Sequence, residues 1–191
     1  MRFYVPVLMA FISVVQAQAA PVAIGDTLAP FSLKDYQGKD VDLKSFQGSK
    51  AVVLMFIATQ CPVSNAYNER MAALAKDYQP KGVTIVGINA NRQETTAEIA
   101  SHASQHGLTF PILKDVDNVR ADQFGAQVTP ETYVFDTSWK LRYHGRIDDN
   151  QRGDNIQSQD LRNALDAVLG GKDVPVKETK AFGCTIKRVQ K

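Results

Sequence analysis

One unbroken apolar run and one mostly apolar run stand out along an otherwise mixed chain. The first, Ala51–Ala58, is rich in Val, Ile and Phe, and the second is Val83–Asn89 (VTIVGIN). Runs of this length and composition are typical of strands buried on both faces of a parallel sheet. Between them, Pro62–Gln79 places apolar side chains at helical spacing, which predicts a helix. The strand, the crossover helix and the second strand together predict a right-handed parallel βαβ unit.

Shorter elements are predicted on either side of this unit. Before it, the alternation over Phe31–Leu43, with Gln37-Gly38 at the turn, predicts a β-hairpin. After it, we predict a helix at Glu94–His106, a strand at Phe110–Leu113, a brief helix at Asn118–Phe124, an antiparallel strand pair at Glu131–Asp136 and Lys140–Arg146, and a final helix at Leu161–Leu169. The pattern therefore predicts an α/β fold with a central mixed β-sheet flanked by helices and an N-terminal β-hairpin.

The N-terminal residues have the pattern of a secretory signal peptide. Met1-Arg2 supplies a positive charge, Phe3–Val15 is an apolar core interrupted by Pro6, and Ala17-Gln18-Ala19 matches a small-x-small cleavage site. The apolar core is too short for a membrane anchor. We therefore expect cleavage near Ala19-Ala20 and a periplasmic or secreted protein. This divides the chain into a signal peptide at 1–19, a domain at 20–170 and a C-terminal tail at 171–191 that carries Cys184.

Composition and charge narrow the classes of function. The chain has 191 residues, of which 44% are hydrophobic and 22% charged, as is usual for a globular domain. The formal net charge of +2 gives no electrostatic basis for binding nucleic acid. No later segment approaches the roughly 20 apolar residues that cross a membrane. We expect no nucleic-acid partner and no membrane association after removal of the signal peptide.

Cys61 lies where the first buried strand passes into the predicted helix. Pro62 suits the first helical turn, where the missing N–H has no cost. Free backbone N–H groups at a helix start favour a thiolate over a thiol. An inert core cysteine is the alternative, but it would be expected within the apolar run rather than at its polar end beside Gln60. The sequence therefore predicts that Cys61 is a nucleophile.

The order of these elements is that of the thioredoxin fold, and several motifs resemble one branch of it. IGDTLAPFSLKDYQGKDVDLKSFQG, VVLMFIATQCP and VTPETYVFD resemble redoxins of the alkyl hydroperoxide reductase/thiol-specific antioxidant (AhpC/TSA) family. TQCPVSN, GINAN, GRIDD and GCTIK are most similar to its peroxiredoxin-like branch. The resemblance covers roughly residues 24–188. It implies a thioredoxin-like fold and a redox-active thiol, and we expect no cofactor.

The active-site motif departs from both of the better-known relatives. Thioredoxins carry Cys-x-x-Cys, whereas Ser64 occupies the second cysteine position here. Peroxiredoxins carry Pro-x-x-x-Thr/Ser-x-x-Cys, but this chain has Leu54 and Ala58 at the first two positions of that motif. The residues that polarise a peroxide are therefore missing, although slow peroxide reduction by an activated thiolate stays open.

The resemblance also suggests which residues surround the thiol. It implies a cis peptide bond at Pro130, opposite Cys61, which would leave the Thr129 backbone free to pair with a bound peptide. Glu131 and Arg146 are candidates for lining the thiol pocket and tuning its pKa, although such charges are more often solvated strand ends. The candidate substrate-binding residues are thus Ser64, Thr129, Pro130, Glu131 and Arg146, and Asn89-Ala90-Asn91 is a candidate for the pocket rim.

A lone thiol at Cys61 would stall in a mixed disulfide unless a second thiol released it. Cys184, a small thiol or a cysteine of the partner are the candidates. The 13 residues of Gly171–Gly183 can span roughly 40 Å when extended, and an exported chain with two cysteines favours their pairing. The alternatives are that Cys184 is an exposed tail residue or links two chains.

The sequence therefore predicts an exported thiol–disulfide oxidoreductase that acts on protein or small-molecule thiols and disulfides. Cys61 is the predicted nucleophile and Cys184 the candidate resolving thiol. The alternatives are a weak thiol-dependent peroxidase, a copper-binding chaperone, or a binding domain without catalysis. Copper chaperones of this fold usually carry Cys-x-x-x-Cys, and Asn65 occupies the position of the second cysteine here. We predict no metal site: His102 and His106, with Glu98 one turn earlier, are interpreted as surface residues, and His144 as structural.

Overall fold

The structure, a computed structural model, describes residues 20–190, so the predicted signal peptide at 1–19 lies outside the described residues. Strands and helices alternate along this part of the chain. The strands are β1 (Ser32–Asp35), β2 (Asp40–Asp42), β3 (Ala51–Phe56), β4 (Val83–Asn89), β5 (Ile112–Lys114), β6 (Val128–Thr129), β7 (Glu131–Asp136), β8 (Leu141–Gly145) and β9 (Cys184–Thr185). The helices are α1 (Pro62–Ala66), α2 (Asn68–Tyr78), α3 (Thr96–Gln105), α4 (Val119–Phe124) and α5 (Asp160–Leu169).

Seven of the strands form one mixed sheet in the order β2-β1-β5-β4-β3-β7-β8. β3 pairs in parallel with β4 and antiparallel with β7, and β7 pairs antiparallel with β8. These pairings confirm the predicted βαβ unit and the predicted C-terminal strand pair. β1 and β2 form the predicted antiparallel hairpin.

The central position of β3 follows from its composition. All six of its residues are buried, because apolar layers cover both faces of the sheet. Met71 and Tyr78 of α2, together with Leu161 of α5, belong to the layer on one face. Phe124 of α4 and Trp139 belong to the layer on the other face. Because β3 is packed on both faces, the position of its end is fixed, and so is the start of the segment that follows it.

The prediction of one continuous helix at Pro62–Gln79 is wrong, because the helix is interrupted at Tyr67. Tyr67 has φ −97° and ψ −3°, and its N–H bonds to the carbonyls of Ser64 and Asn65 rather than continuing the α-helical pattern. The Tyr67 hydroxyl donates to the buried Asp148 carboxylate at 3.0 Å, and the Arg70 guanidinium lies 3.7 Å from the centre of the tyrosine ring. These contacts hold the ring inside the domain, and a short helix separate from α2 follows the end of β3.

Two other predicted boundaries shift for physical reasons. The predicted helix start at Glu94 is wrong by two residues, because Thr95 caps α3 through a reciprocal pair of hydrogen bonds with Glu98. Glu94 is thereby left outside the helix and buried. The short strand predicted at Phe110–Leu113 is found at Ile112–Lys114, next to β4.

The tail after α5 packs against the domain, although its sequence has no periodic pattern. The amide of Thr179 donates to the carbonyl of His144 at 3.0 Å, so the tail runs beside β8. Further on, β9 pairs antiparallel with β6 and forms a second, two-stranded sheet. Ile186, just past β9, is buried in the same apolar layer as Phe124. None of the helices in the described part of the chain has the length and apolar character needed to cross a membrane.

Candidate active site

Cys61 lies where the segment after β3 enters α1, as the sequence predicted. It is the N-cap residue of α1, and its Sγ accepts a hydrogen bond from the Ser64 N–H at 3.3 Å. Pro62 occupies the first turn of the helix. An N–H group directed at the sulfur stabilises negative charge there, so the position favours the thiolate over the thiol.

Cys61 and Cys184 form a disulfide in the structure, with their Cα atoms 5.8 Å apart and 123 positions apart in sequence. Of the alternatives that the sequence left open for Cys184, this is the intramolecular pair. The two residues differ in their surroundings, because Cys61 is only 3% exposed whereas Cys184 is partly exposed. Thioredoxins carry their second cysteine three positions after the first, where this chain has Ser64. In this chain the tail supplies the second cysteine instead.

The loop before β7 faces this disulfide. The Thr129–Pro130 peptide bond is cis, which confirms the prediction for Pro130. The Thr129 carbonyl oxygen lies 3.4 Å from the Cys61 Sγ and would accept its hydrogen in the thiol form. The expectation of a free Thr129 backbone is wrong for this state, because Thr129 is the strand partner of Cys184 in the β6–β9 pair.

Gly183 is what allows the tail to approach so closely. A Cβ atom at this position would overlap the carbonyl group of Thr129. Only a residue without a side chain fits where the tail backbone passes directly over the backbone of the cis-proline loop. The glycine in the motif GCTIK is therefore a docking requirement for Cys184.

Ser64 occupies the position of the second cysteine in thioredoxins. Its residue is fully buried, and its Oγ accepts a hydrogen bond from the Ala58 N–H at 3.2 Å. It links the end of the β3 segment to α1 and so fixes the turn that carries Cys61. Arg146 was also a candidate for the thiol pocket, and its Nε instead donates to the Asp160 carboxylate at 2.6 Å.

Glu131 supports the cis-proline loop from behind. Its carboxylate accepts hydrogen bonds from the N–H groups of Gln127 and Val128, the Tyr133 hydroxyl, and His144 Nε2 at 2.6 Å. Burial by itself would raise the pKa of Glu131, but these four donors outweigh it and hold the pKa below its ordinary value. Glu131 is 4% exposed, so it shapes the loop that receives the tail, and His144 has the structural place predicted for it.

Glu94 is the residue of this region that the sequence reasoning missed. One carboxylate oxygen accepts from the Thr59 N–H at 2.8 Å and from the Asn89 side chain, and the other accepts from the Gln60 N–H at 3.1 Å and the Asn91 side chain at 2.8 Å. It thus ties the segment before Cys61 to the end of β4. Burial would raise the pKa of Glu94, but the four hydrogen bonds keep it below the ordinary value of 4.5. An acidic residue soon after Asn89-Ala90-Asn91 was the available signal, and it was interpreted as the start of a helix.

Glu94→Gln is expected to lower the free energy of unfolding by about 2–4 kcal/mol at pH 7, because an amide nitrogen replaces an acceptor and leaves two donors unpaired. A lowered pKa contributes stability above the unfolded value of 4.5, and this contribution is lost as pH falls through the folded pKa. The difference between variant and wild type should therefore narrow below pH 4.5. Urea unfolding at pH 7 and at pH 3.5 measures it.

Glu69→Gln, at an exposed position of α2, is the matched control and should change little at either pH. An equal loss of stability in Glu94→Gln at both pH values would show that the charge of Glu94 is not what holds the two segments.

The histidines considered for metal binding have other contacts. The Nε2 of His102 lies 3.3 Å from the Asn68 Oδ1, and the rings of His102 and His106 are 4.4 Å apart. Burial, together with the neighbouring His106, lowers the pKa of His102. Within residues 20–190, no group of three or more His, Cys, Asp or Glu side chains is arranged to hold a metal ion.

The sequence model of the AhpC/TSA family matches residues 24–144. A 123-residue segment is 31% identical to thiol-disulfide oxidoreductase ResA of Halalkalibacterium halodurans, and this covers 64% of the chain and 65% of ResA. A 124-residue segment is 31% identical to chloroplastic peroxiredoxin Q of Sedum lineare, covering 61% of the chain and 66% of that protein. The chain thus matches about two thirds of the length of these relatives.

Similarity in three dimensions extends further along the chain. The crystal structure of a hypothetical protein from Sinorhizobium meliloti 1021 is similar with a TM-score of 0.83 and 34% sequence identity. The match covers 91% of this chain and 99% of that one. Together with the order of strands, this confirms the thioredoxin-like fold predicted from the sequence.

Proposed function

The chain belongs to the AhpC/TSA family, and from this membership we propose that it is an exported thiol–disulfide oxidoreductase whose redox pair is Cys61 and Cys184. The observation that carries the proposal is the disulfide itself, which joins the N-cap of α1 to the tail beside the cis-proline loop. A disulfide at the start of a helix is one in which a sulfur can leave as a stabilised thiolate, as exchange requires.

The exchange transfers two electrons. The oxidised protein and a dithiol give the reduced protein and a disulfide, through a mixed disulfide between one protein sulfur and the partner. Each half of the reaction breaks one S–S bond and forms another, and the sulfur that leaves takes up a proton from solvent. Cys61 is the sulfur whose thiolate the fold stabilises, through the Ser64 N–H. Pro130 and Thr129 shape the groove that holds the second sulfur against it.

Export fits the same chemistry. Disulfides persist in oxidising compartments and are rare in the cytosol, and both cysteines of the chain are used in this bond. The N-terminal pattern of positive charge, apolar core and small-x-small site supports a periplasmic or secreted location. The partners that we propose are protein or small-molecule thiols and disulfides, as the name of the ResA relative also suggests.

Peroxide reduction is the competing function, because peroxiredoxin Q is also a relative. The two positions at which peroxiredoxins carry the Pro and the Thr/Ser of their motif hold Leu54 and Ala58 in this chain. Leu54 is buried inside β3, and the Ala58 N–H is used by Ser64. We therefore propose disulfide exchange as the main activity.

An assay of both activities tests the proposal. The chain without residues 1–19 is expected to accelerate the reduction of insulin disulfides by dithiothreitol. The reason is that two thiols held next to each other by a protein exchange faster than free thiols in solution. With hydrogen peroxide as the oxidant, it should react no faster than about tenfold above a free cysteine of the same thiolate fraction. The double variant Cys61→Ser/Cys184→Ser is the control. Rapid peroxide consumption with no effect on insulin would reverse the assignment.

A further inference from the structure

We propose that Cys184 is the sulfur that exchanges with the partner and that Cys61 is the internal sulfur that leaves and returns. The proposal rests on the oxidoreductase function proposed above. It reverses the order expected from the sequence, in which Cys61 attacks the partner and Cys184 resolves the mixed disulfide.

The two cysteines differ in how easily a partner can reach them. Cys61 is 3% exposed, and its Sγ has the backbone N–H of Ser64 and the carbonyl oxygen of Thr129 both within 3.4 Å. Cys184 is partly exposed and pairs with Thr129 in the β6–β9 sheet. A partner thiolate therefore reaches Cys184 more easily than Cys61.

Noncovalent contacts hold the tail on both sides of Cys184. Before it, the Thr179 Oγ1 lies 2.7 Å from the Tyr143 hydroxyl and accepts from the Arg146 N–H at 3.1 Å. After it, the Ile186 N–H donates to the Gln127 carbonyl at 3.0 Å and the Ile186 side chain is buried. None of these contacts involves a sulfur atom. We therefore infer that the tail stays in place in the reduced protein and that Cys61 stays covered.

Contacts beyond Ile186 extend this anchor. The Lys187 N–H donates to the Asn91 Oδ1, and the Val189 N–H donates to the Asn118 Oδ1, both at 2.7 Å. Asn91 in turn donates to Glu94, which also binds the segment before Cys61. One buried carboxylate thereby links the two halves of the redox site whether or not the S–S bond is present.

The surface beside Cys184 is open to a partner. Phe182, two residues earlier, lies against Tyr67 with ring centres 6.4 Å apart and lines an open groove of about 730 Å³. The other side chains of this groove are polar and of both charges, contributed by residues 149–155. A thiol carried on a polar loop or on a small hydrophilic molecule matches the polar lining of this groove.

The chemical steps follow from this geometry. A partner thiolate bonds to the Cys184 Sγ, the Cys61–Cys184 bond breaks, and its electron pair goes to the Cys61 Sγ, where the Ser64 N–H stabilises the new thiolate. A second thiolate of the partner then bonds to the partner sulfur and releases Cys184 as a thiolate. The partner becomes a disulfide, the protein gains two electrons, and both protein thiolates take protons from solvent. In the opposite direction, Cys184 attacks and Cys61 closes the disulfide.

Mapping the first mixed disulfide tests the order. Oxidised wild-type protein is mixed with reduced glutathione as a monothiol probe and quenched at early times with acid, which stops exchange. It is then alkylated with N-ethylmaleimide in denaturant, where both cysteines are accessible, digested and analysed by mass spectrometry. We expect glutathione on Cys184 and maleimide on Cys61 to exceed the reverse arrangement at least about 10:1, because Cys184 is the more exposed cysteine and the Ser64 N–H stabilises the Cys61 thiolate as it leaves. Glutathione mainly on Cys61 would overturn the proposal. A folded protein that exchanges with neither glutathione nor dithiothreitol would instead overturn the oxidoreductase function.

Single-cysteine variants test whether the tail covers Cys61 without the disulfide. Plateau rates with 4,4′-dithiodipyridine, taken at a pH where the thiol is fully ionised, remove differences in pKa. Cys184 in Cys61→Ser should react at least about tenfold faster than Cys61 in Cys184→Ser, as a covered thiolate is slow whatever its ionisation. Adding Gly183→Ala to Cys184→Ser should raise the rate of Cys61, since the added Cβ pushes the tail away from Thr129. Equal rates in the two single variants, with no effect of Gly183→Ala, would contradict the covering role.

Discussion

Cys61→Ser is expected to abolish catalysed disulfide exchange, lowering the rate of insulin reduction at least about 100-fold. The reason is proximity: two sulfurs held together act on each other at an effective concentration that no free thiol reaches. Without Cys61, the remaining Cys184 can still form a mixed disulfide with the partner but has no neighbour to displace it. The measurement is the initial rate with dithiothreitol and insulin, combined with mass spectrometry of the protein after the reaction.

The covalent state of the variant distinguishes lost chemistry from a lost fold. Cys61→Ser should retain the wild-type circular dichroism spectrum and, when incubated in reduced form with insulin without dithiothreitol, should carry insulin on Cys184 as a mixed disulfide. Val176→Ser, at an exposed position of the same tail, controls for changes in the tail itself and should keep full activity. Turnover of Cys61→Ser at more than a tenth of the wild-type rate would exclude the two-cysteine mechanism.

Reduction of the disulfide should lower the midpoint of thermal unfolding by roughly 10–20 °C. The bond closes a loop of 123 positions, and removing the conformational freedom of such a loop from the unfolded chain stabilises the native state by about 5 kcal/mol. For a domain of this size, each kcal/mol corresponds to roughly 2–4 °C. Differential scanning calorimetry with and without tris(2-carboxyethyl)phosphine measures the change.

The double variant Cys61→Ser/Cys184→Ser is the matched control, because it has no bond to reduce. Its midpoint should lie near that of the reduced wild type and should not respond to the reductant. A fall of less than about 2 °C in the wild type would mean that the unfolded chain is already restricted, or that the noncovalent anchors of the tail supply most of the stability.

The central strands of the sheet could be predicted from the sequence because buried strands consist of runs of apolar residues. Val83–Asn89 is a strand with the predicted bounds, and Ala51–Ala58 ends only two residues later than β3. The break at Tyr67 could not be predicted in the same way. Tyr67 continues the helical spacing of apolar residues, and the cause of the interruption is a buried carboxylate, Asp148, that lies 81 positions away.

The residues of the candidate site likewise fall into two groups, those that local sequence predicts and those that it does not. Cys61 could be located from its local context, since a strand end followed by Pro62 defines a helix start. The position of Cys184 depends on contacts that form only after the chain has folded back, and its sequence surroundings show no periodic pattern. Glu94 was missed because its role depends on four donors drawn from two separate segments. The local sequence pattern predicts burial and helix ends, whereas the positions of Cys184 and Glu94 are fixed by partners that are distant in the sequence.

The order of the chain has a consequence for biogenesis. Cys61 precedes most of the sheet, whereas Cys184 follows every other strand and helix described here. At about 5–20 residues per second, the ribosome needs roughly 6–25 seconds to add the 123 positions between them. During that interval the nascent protein carries one cysteine thiol and not the other. Because the chain has two cysteines, a premature disulfide at Cys61 can join it only to another molecule, and a thiol must remove that molecule before the native bond forms.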